Sequence, residues 1–243
     1  MAQIFPRWAN QTPTLGMVGT LVGGVVTVFA VYWWASPYNT DVGYKPKQPI
    51  PYSHKLHAGD MQMDCRYCHA YAERGPHAGV PPTQVCMNCH QQVKKDSPNL
   101  AKLRESWADG KGDKSIPWVR IHKVPDFAYF NHSAHMGFGV GENRAAIGCE
   151  SCHGRIDTMV EVRQAQPLSM SWCIECHSDP APQLRPLDAI TKMGWKGDLA
   201  WNEKAHAIAA TLHPPGNLSG AGKLNADGKL ETYASAGCNG CHR

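Results

Sequence analysis

The chain has 243 residues and a formal net charge of +4 at pH 7, a length that allows one large domain or two small ones. Glycine and proline, with 23 and 18 residues, make up about a sixth of it, which predicts a loop-rich fold with short helices and little regular sheet. No nucleophile–base pair, phosphate-binding loop or carboxylate dyad stands out, which argues against hydrolysis and phosphoryl transfer.

A long uncharged segment near the N-terminus predicts a membrane anchor. No charged residue occurs between Arg7 and Asp41, and the 22 residues 14–35 would span about 33 Å as a helix, which matches a hydrocarbon core of about 30 Å. The alternative is a cleaved signal peptide, whose apolar part would be shorter and would end at small residues rather than at a Trp-Trp pair. We therefore predict an uncleaved anchor over residues 1–36, with glycines that permit packing against a partner helix.

A proline-rich spacer, predicted to be extended over residues 37–51, leads to the first of two similar modules. This module contains His54 and His57, followed by CxxCH motifs at 65–69 and 86–90. In such a motif the two cysteines and the histidine lie at i, i+3 and i+4, on one face of a helical turn. Two thiols can then bind the vinyl groups of one porphyrin while the histidine reaches its iron, which is the signature of c-type haem.

Two elements are predicted between the modules. Ser97 as the N-cap, Pro98 in the first turn and apolar residues on one face predict a helix that ends at 109–110. A weak alternation of apolar and polar residues over 118–130 predicts an extended strand.

The second module repeats the first, with His132 and His135 ahead of motifs at 149–153 and 173–177. The glycine-rich segment 137–141 fits neither a dinucleotide nor a Walker pattern, and we predict a plain loop. An amphipathic helix that begins near Trp201 and ends before two prolines precedes a fifth motif at 238–242.

These patterns predict a mainly α and irregular fold, that of a multihaem cytochrome c, with one N-terminal transmembrane helix and little regular sheet. Its pentahaem domain over 52–243 is predicted to contain two tandem dihaem modules and a terminal haem region, at 52–110, 118–185 and 186–243.

The five motifs use all ten cysteines of the chain: Cys65, Cys68, Cys86, Cys89, Cys149, Cys152, Cys173, Cys176, Cys238 and Cys241. Zinc sites would need the CxxC pairs to share metals, which five pairs cannot do evenly, and disulfides give no reason for the histidine after each pair. We therefore predict five covalently bound haem c groups. Their propionates would make the holoprotein negative, so the sequence charge says little about its partners. The predicted proximal iron ligands are His69, His90, His153, His177 and His242.

The repeated HxxH spacing makes four histidines the predicted distal ligands: His54, His57, His132 and His135. Each pair could serve two different haems. His77, His122, His206 and His213 are interpreted as surface or second-shell histidines, with His206 as the reserve ligand. The one haem that the four HxxH histidines leave without a distal ligand is assigned Met159 or Met170, although core packing remains an alternative for either. Which haem this is stays open. We expect four bis-histidine haems and one His/Met haem.

The anchor, the spacer, the doubled HxxH-CxxCH-CxxCH pattern, the segment P-L-S-M-S-W-C-I-E-C-H at 167–177 and the terminal motif resemble the pentahaem cytochrome c subunit of bacterial alternative complex III. The modules alone resemble the broader class III or cytochrome c7-like multihaem group. The resemblance implies an electron-transfer subunit without a catalytic site, within a membrane quinol:acceptor oxidoreductase. Electrons would arrive from quinol through membrane and iron–sulfur subunits and leave to a monohaem cytochrome c, a copper protein or a terminal oxidase. No nucleic-acid partner is expected, and residues 184–225 match nothing assignable.

Haem c is attached outside the cytoplasm, so the haem domain is expected on the periplasmic side of the inner membrane, with the N-terminus in the cytoplasm. Two other interpretations are a membrane quinol dehydrogenase of the NapC/NrfH type and a multihaem reductase with an open-site haem. The first fits less well because about 30 residues separate the anchor from Cys65. The second needs a five-coordinate haem, against which the supply of spare histidines argues.

Overall fold

The computed structural model describes residues 4–108, 110, 114–137, 144–212, 223–224, 230–231 and 241–242. Its α-helices are α1 (Thr12–Trp34), α2 (Pro37–Thr40), α3 (Cys65–Cys68), α4 (Thr83–His90), α5 (Ala101–Ser106), α6 (His132–His135), α7 (Cys149–His153), α8 (Met170–Ser178) and α9 (Leu199–Leu212). The strands are β1 (Ala146–Ile147), β2 (Leu184–Arg185), β3 (Lys223–Leu224) and β4 (Leu230–Glu231). A π-helical turn covers Lys55–Asp60, and 3₁₀ turns cover Arg7–Gln11, Pro98–Leu100, Ile156–Thr158, Ala181–Gln183 and Leu187–Ala189.

Helix α1 is apolar on all sides and is buried nowhere in the protein. Together with the 3₁₀ turn before it, it extends over Arg7–Trp34, with a mean hydropathy of 2.0 in its most apolar window. Pro13 lies in its first turn, where the missing N–H has no helical partner to lose. The predicted helix is therefore confirmed, and it is long and apolar enough to cross a membrane.

The segment after α1 differs from the extended spacer that the sequence predicted. Residues Pro37–Thr40 form α2, because Ser36 caps the turn by accepting a hydrogen bond from the N–H of Tyr38 at 3.4 Å and Pro37 presets its first φ angle. The prediction of a spacer without helix is wrong for these four residues. Proline there begins a helix rather than preventing one.

The rest of this segment is attached to the second module. The N–H of Gly43 donates to the carbonyl of Gln164 at 2.8 Å, and the N–H of Gln164 donates to Tyr44 at 3.0 Å. Lys45 and Glu161 form an exposed ion pair at 2.7 Å. Residues 43–45 therefore run beside residues 161–164 and are bonded to them.

Regular sheet is sparse in the described residues, as predicted. Strands β1 and β2 pair antiparallel, with Ala146 opposite Arg185, and β3 pairs with β4 in the same way. Helix α9, which confirms the predicted amphipathic helix, packs Ala205 and Ile208 against Leu184 of β2. The prolines at 214–215 that were expected to end it lie outside the described residues, as does 138–141 of the predicted loop.

A second small core supports the first module. The predicted helix after Ser97 is present as the 3₁₀ turn Pro98–Leu100 followed by α5, and Gly110 beyond it has φ +71°. Leu103 of α5 is buried together with Ile50 and with Met87 of α4. Helix α5 thus packs against α4, the helix that bears the second CxxCH motif.

The predicted strand over 118–130 is wrong, because none of these residues joins a sheet apart from one isolated bridge between Ala128 and His242. The side chain of Gln48 makes the two backbone hydrogen bonds to Val119 that a neighbouring strand would otherwise make. Its Oε1 accepts from the N–H of Val119 at 3.0 Å, and its Nε2 donates to the carbonyl of Val119 at 2.9 Å. Pro125 also removes a donor from the middle of the segment.

Replacement of Leu103, which is 2% exposed, tests the role of this second core. We expect Leu103→Ala to lower the free energy of unfolding by about 2–5 kcal/mol, because it removes buried apolar area and leaves a cavity. Denaturant unfolding of the haem-loaded protein, followed by circular dichroism, measures this. Leu199→Ala at an 83% exposed position is the matched control, expected within about 0.5 kcal/mol of the parent. Equal effects of the two changes would contradict the packing described here.

Candidate functional site: histidine pairs around five cysteine motifs

The CxxCH motifs lie on short helical turns, as the spacing predicted. The first four are carried by α3, α4, α7 and α8, and the fifth is described only at Cys241 and His242 because Cys238 lies outside the described residues. Asp64 caps α3 by accepting from the N–H of Arg66 at 2.8 Å. No disulfide joins any two cysteines in the described part of the chain. Each helical turn therefore presents its cysteines and histidine together.

The HxxH repeat of the sequence is also a repeat in space. Tyr52 stacks on His57 with ring centroids 4.4 Å apart and meets His54 edge-on at 4.8 Å. In the second module Phe130 stacks on His135 at 4.7 Å and meets His132 edge-on at 4.8 Å. The aromatic residue that precedes each pair thus fixes both imidazoles in nearly the same geometry.

Three of the four predicted distal histidines face a CxxCH histidine at a distance that suits one metal ion between the rings. The centroid separations are 6.3 Å for His57–His90, 6.4 Å for His132–His153 and 6.0 Å for His135–His177. Two metal–nitrogen bonds of about 2 Å, with each ring centre roughly 1 Å further back, give a separation of about 6 Å. These rings therefore fit the two axial positions of a haem iron.

His54 completes the set by a different observation. Its Nδ1 is buried and has no hydrogen-bond partner in the described part of the structure, which fits a site completed by a bound group. Burial, followed by the nearby charges of His69 and His57, lowers the pKa of His54 to about 4. A neutral imidazole is the form that binds a metal ion. His54 thus lies near His69, and its imidazole is in the neutral form that can bind a metal ion.

Backbone carbonyls orient most of the other predicted ligands. A carbonyl can only accept, so the Nδ1 atom against it carries the hydrogen and Nε2 keeps the lone pair that an iron needs. The Nδ1 to oxygen pairs, at 2.7–2.9 Å, are His57–Ser53, His69–Gly79, His90–Val93, His132–Pro76 and His135–Asn131. Sequence reasoning missed these partners because a backbone carbonyl has no signature in the side chains.

At His153 the group next to Nδ1 is a second imidazole, that of His122, instead of a backbone carbonyl. The Nε2 atom of His122 lies 3.4 Å from Nδ1 of His153, with ring centroids 4.4 Å apart. Burial lowers the pKa of His122 to about 4 and that of His153 to about 3, so both rings are neutral at pH 7. The structure therefore places His122 behind the ligand of the third motif, in the second-shell position that the sequence left open.

The environment of the fifth motif is only partly described. The ring of Phe127 stacks on His242 at 5.6 Å, and the N–H of Tyr129 donates to the carbonyl of Cys241 at 2.7 Å. Of the two methionines predicted for the haem without an HxxH histidine, Met159 is 4% exposed and packs behind Gly154, whereas Met170 is 61% exposed.

The reserve ligand His206 has a ligand-like arrangement of its own. Its Nδ1 donates to the carbonyl of Asn202 at 2.8 Å, four residues earlier, as in His57 and His135. The distal ligand of the haem without an HxxH histidine thus stays a prediction between Met159, Met170 and His206. His213 lies outside the described residues.

Removal of one predicted distal ligand tests the pairing. We expect His57→Ala to convert one haem per molecule to a high-spin state, because the iron at His90 loses its second axial ligand. The electron paramagnetic resonance spectrum of the oxidised protein would gain a high-spin ferric signal. His77→Ala changes a histidine outside the HxxH pairs and should leave all haems low-spin. A spectrum of His57→Ala that matches the parent would exclude this pairing.

Comparison with known proteins adds one relative, and no family model matches the chain. The chain is 34% identical over 131 residues to the multihaem cytochrome c subunit of menaquinone reductase from Nitratidesulfovibrio vulgaris (strain ATCC 29579 / DSM 644 / CCUG 34227 / NCIMB 8303 / VKM B-1760 / Hildenborough). The match covers 54% of this chain and 56% of that protein, so the chain spans about half the length of the curated relative. In helical content, sparse sheet and doubled HxxH-CxxCH-CxxCH pattern, this chain is thus similar to a multihaem cytochrome c.

Proposed function

We propose that this chain is an electron-transfer subunit that carries five covalently bound haem c groups in a quinone-linked membrane complex. The observation that carries the proposal is the set of three imidazole pairs at 6.0–6.4 Å, each formed by an HxxH histidine and a CxxCH histidine. Five CxxCH motifs that exhaust ten cysteines, and a relative named as a multihaem cytochrome c, support the same assignment.

The geometry favours electron transfer over catalysis on a substrate. Bound haem iron supplies one-electron exchange between its ferric and ferrous states. The two imidazoles of each pair would hold the iron from both sides and so would leave no coordination site for a substrate. Backbone carbonyls hold His57, His90, His132 and His135 in one tautomer and one orientation, which would limit the rearrangement that accompanies a change of charge. A reductase with an open-site haem is therefore the weaker interpretation.

We propose that the complex resembles alternative complex III, as the sequence pattern implies. In that arrangement α1 crosses the inner membrane, the N-terminus is cytoplasmic and the haem domain is periplasmic. Membrane and iron–sulfur subunits would deliver electrons from quinol, and a monohaem cytochrome c, a copper protein or an oxidase would accept them. The length and hydropathy of α1 support the anchor, and the relative's name supports the link to a quinone.

A second candidate reverses the direction of electron flow. The relative is a subunit of a menaquinone reductase, so electrons would enter at these haems and leave to the quinone through the partner subunits. The ligand geometry suits both directions equally, because an iron held by the same two imidazoles in both oxidation states would have no preferred direction of electron flow. Only the potentials of the donor and acceptor decide between them.

Haem content is the first test of the proposal. Mass spectrometry of the purified chain should show the polypeptide plus five haems. The paired substitution Cys86→Ala/Cys89→Ala should remove one haem and leave four, because the second motif loses both thioether bonds. A parent mass equal to the bare polypeptide would refute the proposed function.

The direction of flow is tested on the complex purified in mild detergent. We expect a menaquinol or ubiquinol analogue to reduce the haems within catalytic turnover and the electrons to pass to an added cytochrome c. Rapid reduction of the haems by a soluble donor, with menaquinone reduced in turn and no quinol oxidation, would instead establish the second candidate. A single polypeptide that oxidised quinol without partner subunits would contradict both and favour a dehydrogenase of the NapC/NrfH type.

A further inference from the structure

The two HxxH turns show which motifs are neighbours inside each module. His132 and His135 lie one turn apart, and they face His153 and His177 respectively, so the third and fourth motifs must be adjacent. In the first module His57 faces His90, and the side chain of Asn88 donates to the hydroxyl of Tyr67 at 3.1 Å, which joins the second motif to the first.

The connection between the modules is made by the loop at residues 75–79. The carbonyl of Gly79 accepts from Nδ1 of His69 at 2.7 Å, and the carbonyl of Pro76 accepts from Nδ1 of His132 at 2.8 Å. The N–H of Ser133 also donates to Gly75 at 3.1 Å. One loop of five residues therefore holds a predicted ligand of the first motif and a predicted ligand of the third.

The cysteine side chains support one of these neighbours. Cys65 in the first motif lies next to Cys149 in the third. The side chains that would be bonded to the edges of these two porphyrins thus approach one another.

The fifth motif lies beside the fourth. Cys241 and His242 bond to Tyr129 and Ala128, and Phe127 stacks on His242. This segment continues directly into Phe130, whose ring contacts both His132 and His135, the residues that face the third and fourth motifs. Cys241 also lies within electrostatic range of Cys173, a cysteine of the fourth motif.

We propose that the five haem-binding motifs form one unbranched series that does not follow the chain, in the order second, first, third, fourth, fifth. The crossing between modules then occurs at the first and third motifs, next to the loop 75–79. The second motif is one terminus of the series and the fifth is the other. This order rests on the proposed function, because it has redox meaning only if the motifs carry haem.

Each step of such a series is a plain electron exchange. An electron leaves the ferrous iron at one motif, which becomes ferric, and reduces the ferric iron at the adjacent motif to the ferrous state. No bond is formed or broken and no proton is required. Loss of an interior haem therefore interrupts the series, whereas loss of a terminal haem only shortens it.

Two variants that each lack one haem of the first module distinguish this order from the order along the chain. Cys65→Ala/Cys68→Ala removes the haem of the first motif, and Cys86→Ala/Cys89→Ala, the matched control, removes that of the second. Both also carry Leu199→Cys labelled with a ruthenium photoreductant, at an exposed position of α9. Helix α9 packs on the 3₁₀ turn Ala181–Gln183 just after the fourth motif, so electrons enter the second module.

The measurement is the number of haems reduced in the fast phase after laser flashes, in the complex with a sacrificial donor. The control without the second haem should reduce all four remaining haems in the fast phase. The variant without the first haem should reduce only three, and the haem of the second motif should follow in a separate slow phase. The opposite pattern would overturn the proposed order in favour of the chain order. A single fast phase in both variants would overturn the unbranched series.

Mass spectrometry of the labelled parent distinguishes a failure of the proposed function from a failure of the proposed haem order. A parent without five haems contradicts the proposed function, whereas a parent with five haems and reversed phases contradicts only the order. Should a variant fail to assemble, a cryo-electron microscopy map of the unmodified complex decides the question. The iron of the first motif must lie between those of the second and third.

Discussion

The site depends on one constraint that acts on five of the predicted iron ligands: a backbone carbonyl holds the Nδ1 hydrogen of the imidazole, so that Nε2 is left for a metal ion. For His57 and His135 the acceptor is the carbonyl four residues earlier, so the HxxH turn itself supplies it. For His69 and His132 the acceptors belong to a loop that is distant from His132 in sequence. The local folding of each turn is thereby coupled to the packing of one module on the other.

The polypeptide has little hydrophobic core of its own in the described residues. Buried apolar residues form small clusters, such as Ile50, Met87 and Leu103 behind α4. Large aromatic residues next to the motifs remain exposed, including Phe127 at 62% and Tyr71 at 64%. Apolar side chains of this size are normally covered in a stable domain. Porphyrin faces are the surfaces that would cover them, so the protein and its cofactors would share one hydrophobic interior.

The sequence predicted those features that depend on spacing alone. The helical turns of CxxCH, the repeated aromatic-HxxH geometry, α1, α5 and α9 all follow from periods that are local in the chain. It failed where a distant group replaced a local one. Gln48 satisfies the backbone of Val119 in place of a strand partner. A local signal was missed as well, because Ser36 caps the turn in which Pro37 begins α2. His122 could not be assigned from sequence because its position is defined only by contact with His153, 31 residues away.

The pairing of Gly43 and Tyr44 with Gln164 limits how far the soluble part can move. Only eight residues, Ala35 to Val42, separate the end of α1 from this attachment at Gly43. The nine steps from residue to residue between Trp34 and Gly43 cover at most about 32 Å even when fully extended. With α1 in the bilayer, the second module would be confined to a thin layer above the lipid surface. A redox partner embedded in the same membrane could then remain a permanent neighbour, whereas a diffusible one would have to travel to this layer and dock there.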